Sequence, residues 1–223
     1  RRPSSMDDMA HVSGVGTKKL ERYGATFLEV INGEAPPPQH PARRALTGRD
    51  SGALFDRLYD IAPISAMQAA RLNAEALAHN LAEVGITVDA LPLLDVRQEG
   101  AHDVIGDRAL GSEPMRVAAL GRAVLDGLSA GGVVGIVKHM PGHGRATVDS
   151  HKQLPRVDAS DEELQVDIDP FRTLAAHPLG MTAHIVFSAW DDERPATMSP
   201  TVIEKIIRGR IGFDGLLLTD DID

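Results

Sequence analysis

The chain has 223 residues, 43% of them hydrophobic and only 4% aromatic, with a formal net charge of −9 and no cysteine. Absence of cysteine excludes a disulfide framework and thiolate metal sites, and no run of about 18 apolar residues reads as a membrane span. The acidic balance lies in the body: residues 1–57 carry nine Lys/Arg against seven Asp/Glu and the rest 14 against 25, so nucleic acid is a candidate partner for the first segment alone. Arg1-Arg2-Pro3-Ser4-Ser5 lacks an apolar signal core, and a soluble cytoplasmic protein without membrane contact is expected.

Leu20, Tyr23, Phe27, Val30 and Ile31 recur at helical spacing after the helix-breaking Ser13-Gly14-Val15-Gly16, so residues 1–33 read as a short all-helical segment. Gly33-Glu34-Ala35-Pro36-Pro37-Pro38-Gln39-His40-Pro41 is proline-rich, and residues 34–58 are assigned to a linker and seam. From residue 59 the texture changes. Met67, Ala70, Ala74, Leu77, Leu81 and Val84 predict a helix over 64–84, and the apolar run 91–96 a strand. A helix over 113–129 follows Ser112, with Pro114 in its first turn, and a strand covers 133–137. Ser160 with Glu163 forms a capping box that opens the next helix, ahead of an apolar run over 181–187. Ser199-Pro200 starts a helix near 200–209, and 216–218 is the last strand. Strands and helices alternating every 40 residues or about that predict right-handed βαβ units on a parallel sheet, an α/β body. Periodicity does not separate a closed barrel from an open sheet. No G-x-G-x-x-G or phosphate loop follows any strand, which argues against a nucleotide site.

Reactive side chains cluster where strands end. Lys138-His139-Met140-Pro141-Gly142-His143-Gly144 follows the run 133–137, with Asp149-Ser150-His151 close behind, and Asp220-Asp221 follows 216–218. Loops at the carboxyl ends of strands are where α/β enzymes hold their catalytic groups. His139 and His143 are four apart, but Pro141-Gly142 between them breaks the helix a zinc pair needs, so no metal is assigned. His143 reads as a hydrogen-bonded loop residue. Lys138 at a strand end needs an acceptor, a sugar hydroxyl or a carboxylate, to offset its burial. Asp149 beside His151 suits a carboxylate that orients a titrating imidazole, and is read equally well as a solvated loop. Ser150 sits in no G-x-S-x-G turn. Asp220 is a nucleophile candidate or a helix cap, and only one of Asp220 and Asp221 can face a site. On spacing alone Arg108 is a surface charge.

Taken together, these motifs resemble family 3 glycoside hydrolases of the β-N-acetylhexosaminidase branch over about 59–223. Leu91-Pro92-Leu93-Leu94-Asp95-Val96, Ile105-Gly106-Asp107-Arg108, Thr182-Ala183-His184-Ile185-Val186-Phe187 and Gly212-Phe213-Asp214-Gly215 with Leu216-Leu217-Leu218-Thr219-Asp220-Asp221 extend the likeness. The resemblance implies a (β/α)8 TIM-type barrel that removes terminal β-linked N-acetylglucosamine with retention. It implies Asp220 as nucleophile, His151 paired with Asp149 as acid/base, and Lys138, His139 and Arg108 as sugar ligands. No metal or organic cofactor is implied; the partner is an N-acetylglucosamine-containing saccharide from cell-wall fragments. Most retaining glycosidases use two carboxylates, whereas this branch resembles a case in which histidine replaces one.

The acidic sugar-binding stretch of the family's first strands has no counterpart here, and the chain stops just after Asp220, so a partial barrel with impaired turnover is expected. Residues 4–32 instead resemble part of the HRDC module at the C-terminus of RecQ-type helicases, through Ser5-Met6-Asp7-Asp8-Met9, Val12-Ser13-Gly14-Val15-Gly16-Thr17-Lys18-Lys19-Leu20-Glu21-Arg22-Tyr23-Gly24 and Phe27-Leu28-Glu29-Val30-Ile31. A Gly-Val-Gly hairpin before a basic helix start can present N–H groups to phosphate, so the alternative function is a nucleic-acid-binding helicase accessory.

Overall fold

A computed structural model describes residues 5, 51–102, 105–148 and 153–220. The chain divides into two units, Arg1–Gly48 and Arg49–Asp223. Apart from residue 5, the segment expected to be helical, 1–33, and the whole proline-rich stretch 33–41 lie outside the described residues.

The second unit opens with two helices, α1 (Ser51–Ile61) and α2 (Pro63–Glu83). Residues 51–58, assigned by composition to the linker and seam, are helical, and Phe55 enters the core. The stripe predicted on α2 is present but turned: Ala66, Ala70, Ala74 and Ala78 are its buried residues, while Met67, Leu77 and Leu81 flank them half-buried. Small side chains every fourth residue let α2 lie close against α3 (Pro114–Ala130). That helix is capped by Glu113, not Ser112, because the Glu113 carboxylate accepts the N–H groups of Met115 (3.0 Å) and Arg116 (2.7 Å).

Among the described residues, the strand-to-strand pairs all run parallel. β1 (Val88–Asp89) pairs with β2 (Val134–Gly135), and the ladder continues through a bridge from Leu93 to Lys138 in β3 (Val137–Met140). The predicted strand 91–96 is therefore mostly extended chain held by single contacts, such as Leu94 N–H to the Lys138 carbonyl at 2.6 Å. β3 pairs with β5 (Leu179–Thr182), which pairs with β7 (Leu216–Leu218). The run 181–187 splits: its first residues belong to β5, and β6 (Val186–Phe187) leaves to pair with β4 (Arg156–Val157) beside the main ladder. That side pair ties the chain after β3 to the chain after β5.

Two helices cover the crossovers, α4 (Gln165–Thr173) and α5 (Val202–Ile211), the latter wound in the wider π form. The Ser160–Glu163 capping box forms, with Ser160 N–H to Glu163 at 2.8 Å and Glu163 N–H to Ser160 Oγ at 3.3 Å. It closes a turn ahead of α4 and does not open the helix itself. The predicted Ser199 cap acts on the short α-helical turn 200–201 that leads into α5, its Oγ accepting the Val202 N–H at 3.1 Å. The core between helices and strands is built on Leu94, Leu120, Leu128, Met140, Ile168, Phe171, Ile207 and Phe213. Among the described residues no helix is long and apolar enough to cross a membrane.

Candidate active site

The carboxyl ends of the ladder carry the polar groups. Segment 91–96 ends at Asp95, β3 holds Lys138 and His139, and β7 runs into Asp220 two residues on. Asp95 has no exposed surface. Its Oδ1 accepts the backbone N–H groups of His139 (3.1 Å) and His143 (2.8 Å), and its Oδ2 lies 2.8 Å from His139 Nδ1. Burial alone pushes this carboxyl up. The His139 charge and ring hydrogen bond, His143 and the His139 N–H together outweigh it and hold Asp95 at about 2. The other ring nitrogen, His139 Nε2, lies 3.8 Å from Asp220 Oδ2.

Lys138 is buried beside them. Burial, then the Arg108 charge, lowers its ammonium from the ordinary lysine range, against the pull of Asp95, Asp220 and Asp89. Arg108 is thus not the surface charge that spacing suggests: it is half-buried on a short 3-10 turn, Gly106–Arg108, close enough to act on Lys138. Burial also lowers His143 despite the Asp95 carboxylate, which favours the neutral imidazole.

The loop 141–148 leaves this cluster along two walls. Gly144 lies where a Cβ would meet the Val96 carbonyl oxygen at 1.9 Å, so only glycine admits this approach. There the Gln98 N–H reaches the Gly144 carbonyl (3.2 Å) and the His102 N–H that of Ala146 (2.8 Å). On the other wall Arg145 donates from Nε to Asp167 Oδ2 (2.7 Å) and from Nη2 to the Glu163 carbonyl (2.9 Å). Asp167 is buried, and its Oδ1 has no hydrogen-bond partner among the described residues. Burial raises its carboxyl to about 6 even with Arg145 opposing.

Lys138, His139, Arg108 and Asp220 are therefore brought to one end of the strands. Asp149, Ser150, His151 and Asp221 lie outside the described residues. Asp95 was missed as a site residue, although the signal that marked Asp220, an acid closing an apolar strand run, marks Asp95 after Leu93-Leu94 equally. Arg145 and Asp167 carry no such signal, since a pair 22 residues apart in sequence meets only through the fold. Among the described residues no group of three His, Cys, Asp or Glu side chains is arranged to hold a metal ion.

A parallel α/β ladder with acids and bases gathered at the carboxyl ends of its strands is the arrangement in which α/β enzymes build their active sites. The sequence matches the glycosyl hydrolase family 3 N terminal domain over residues 46–223, and the chain belongs to that family. Residues 1–31 match the HRDC domain. Among its relatives, the beta-hexosaminidase of Bordetella avium is 32% identical over 89% of this chain and 57% of its own length. That of Tolumonas auensis is 38% identical over 67% and 43%. The crystal structure of native NagZ from Neisseria gonorrhoeae superposes with a TM-score of 0.72 at 34% identity, covering 77% of this chain and 50% of that one. A family 3 beta-N-acetylglucosaminidase from a Paenibacillus strain gives 0.66 at 37%, covering 69% and 30%. The chain spans about half the length of the curated relatives it matches.

Proposed function

We propose that this chain carries the sugar-binding and nucleophile portion of a retaining β-N-acetylhexosaminidase, built on the strands of a (β/α)8 barrel. The observation that carries the reading is the approach of Asp220 to His139, with Lys138 and Arg108 beside them, where four successive parallel segments end. A neighbour order that follows chain order, 88–94 then β3 then β5 then β7, supports a barrel over a doubly wound sheet, whose order reverses. The substrate reading is supported by relatives that bear the name beta-hexosaminidase and by a Neisseria NagZ structure in complex with N-trifluoroacetyl-D-glucosamine.

In this reading Lys138, Arg108 and His139 hold sugar hydroxyls. Asp220 attacks the anomeric carbon, forming a glycosyl ester while the bond to the aglycone oxygen breaks. His151, oriented by Asp149, gives its proton to the departing oxygen. It then takes one from the water that cleaves the ester, returning the β-configured sugar and free Asp220. Cytoplasmic turnover of cell-wall saccharides is the setting, in keeping with a cysteine-free chain. The body that begins with α1 is the saccharide-binding part, joined through the proline-rich stretch to the segment 1–33.

The test is covalent trapping with an activated fluorinated N-acetylglucosamine analogue, read by peptide mass spectrometry. The adduct is expected on Asp220 and is expected to vanish, with release of nitrophenol from the chromogenic N-acetylglucosaminide, in Asp220→Asn. An adduct on another residue, or undiminished hydrolysis by Asp220→Asn, overturns the assignment.

A further inference from the structure

Asp95 is fully buried, and both of its carboxylate oxygens are engaged by hydrogen bonds. One oxygen is occupied by two backbone N–H groups, those of His139 and His143, and its other faces His139 Nδ1 at 2.8 Å. A carboxylate only accepts hydrogen bonds, so the ring must donate from Nδ1. That leaves Nε2 as the nitrogen turned to the strand ends, 3.8 Å from Asp220 Oδ2. A ring whose Nδ1–H is held by an anion can also take a proton at Nε2, and then donates to Asp95 on one side and toward Asp220 or a sugar hydroxyl on the other.

We propose that Asp95 is a positioning residue for the glycosidic reaction: it fixes the tautomer and ring plane of His139 so that Nε2 alone addresses the nucleophile and the bound sugar. The inference rests on the glycosidase reading for what Nε2 meets, and on the Asp95 geometry for which nitrogen that is. It extends to the loop, because the same Oδ1 that receives the His139 N–H receives that of His143 and so shapes the chain between them. An amide at this position makes a sharp contrast. Asn would place its single oxygen on the two backbone N–H groups, leaving its NH2 to face Nδ1. The ring would then accept at Nδ1 and carry its proton on Nε2.

The experiment is long-range 1H–15N NMR on the histidine-labelled 223-residue chain, with His139 assigned by its loss in His139→Gln. His139 is expected to be protonated at Nδ1 in the wild type and to switch to the Nε2–H form in Asp95→Asn. A wild-type His139 protonated at Nε2 alone, or the same tautomer in both proteins, overturns the proposal. If Asp95→Asn does not fold, the wild-type spectrum decides by itself, since a ring without a proton on Nδ1 cannot donate to Asp95. A kinetic arm uses the chromogenic N-acetylglucosaminide: kcat/KM is expected to fall about 10- to 100-fold in Asp95→Asn, the usual cost of losing a carboxylate that orients a functional histidine. Adding Asp95→Asn to His139→Ala is expected to cost nothing further, because Asp95 acts through the ring. Additive losses, which a merely structural role would give, overturn it. If Asp220→Asn abolishes turnover while Asp95→Asn leaves it intact, this inference fails and the glycosidase reading stands. If Asp220→Asn keeps full turnover, the glycosidase reading fails while the tautomer result is untouched.

Discussion

The two walls of the 141–148 loop are held by buried carboxylates in opposite states. On the strand side Asp95 is held at about 2, and on the helix side Asp167 is raised to about 6. Both lose solvent to a similar depth, and burial raises each. What separates them is the set of donors. Asp95 is met by two backbone N–H groups and an imidazole, while Asp167 is met by one guanidinium and keeps an oxygen with no partner among the described residues. A buried acid is thus a permanent anion or a titrating group according to what is aimed at it, not how deep it lies.

The contrast breaks most visibly if Asp95 is removed. Asp95→Ala strands two buried N–H groups and the His139 ring, and is expected to cost about 3–5 kcal/mol in urea denaturation. A loss below about 1 kcal/mol would mean that the strand wall is not anchored there.

The pH dependence sharpens it next. Because Asp167 is raised when folded, its contribution to stability is complete below the unfolded value near 4 and is lost as pH rises through about 6. Asp95 is lowered when folded, so its contribution is present above about 4 and is lost as pH falls toward about 2. Asp167→Asn is therefore expected to remove a fall in stability between about pH 4 and pH 6, on the order of 2–3 kcal/mol across that window. Unfolding curves of the two proteins at several pH values check it, and parallel pH profiles would reassign that slope to another group.

A smaller contrast comes from the loop's glycines, one on each wall. The added methyl of Gly144→Ala meets the Val96 carbonyl at 1.9 Å, and its cost is expected at about 2–3 kcal/mol. Gly142→Ala, at φ 142° with its methyl 2.8 Å from Asp167 Cβ, should cost about 1–2 kcal/mol. Thermal unfolding of the pair tests the order. Smallest is Ser160→Ala, which opens the turn that presents the Glu163 carbonyl to Arg145. It should cost about 0.5–1 kcal/mol and leave the His139 ring signals unmoved, since they belong to the other wall.

Much of this arrangement was legible in the sequence. The alternation of apolar runs with capped helices marked a parallel α/β body, because strand and helix bury their faces with different periods. The Ser199 cap, the strand 216–218 and the clustering of Lys138, His139 and Asp220 after strand runs followed from local chemistry alone. The alanine axis of α2 was blurred, since periodicity marks an apolar side but not how near its neighbour comes. The break of 181–187 into two strands was illegible, because both halves are apolar and only pairing with 156–157 separates them. Arg108 read as surface because a spacing argument does not see that the Gly106–Arg108 turn folds toward Lys138.

By itself the sequence determined the class of fold, the family and the identity of the acids and bases at the strand ends, since those depend on residue type and order. Tertiary structure decided the electrostatic state of each group. Whether Asp95 is an anion, Asp167 a titrating acid or Lys138 a cation below its usual range depends on burial and on donors from segments 22 to 48 residues away. Those distances are set by packing, and no local pattern records them.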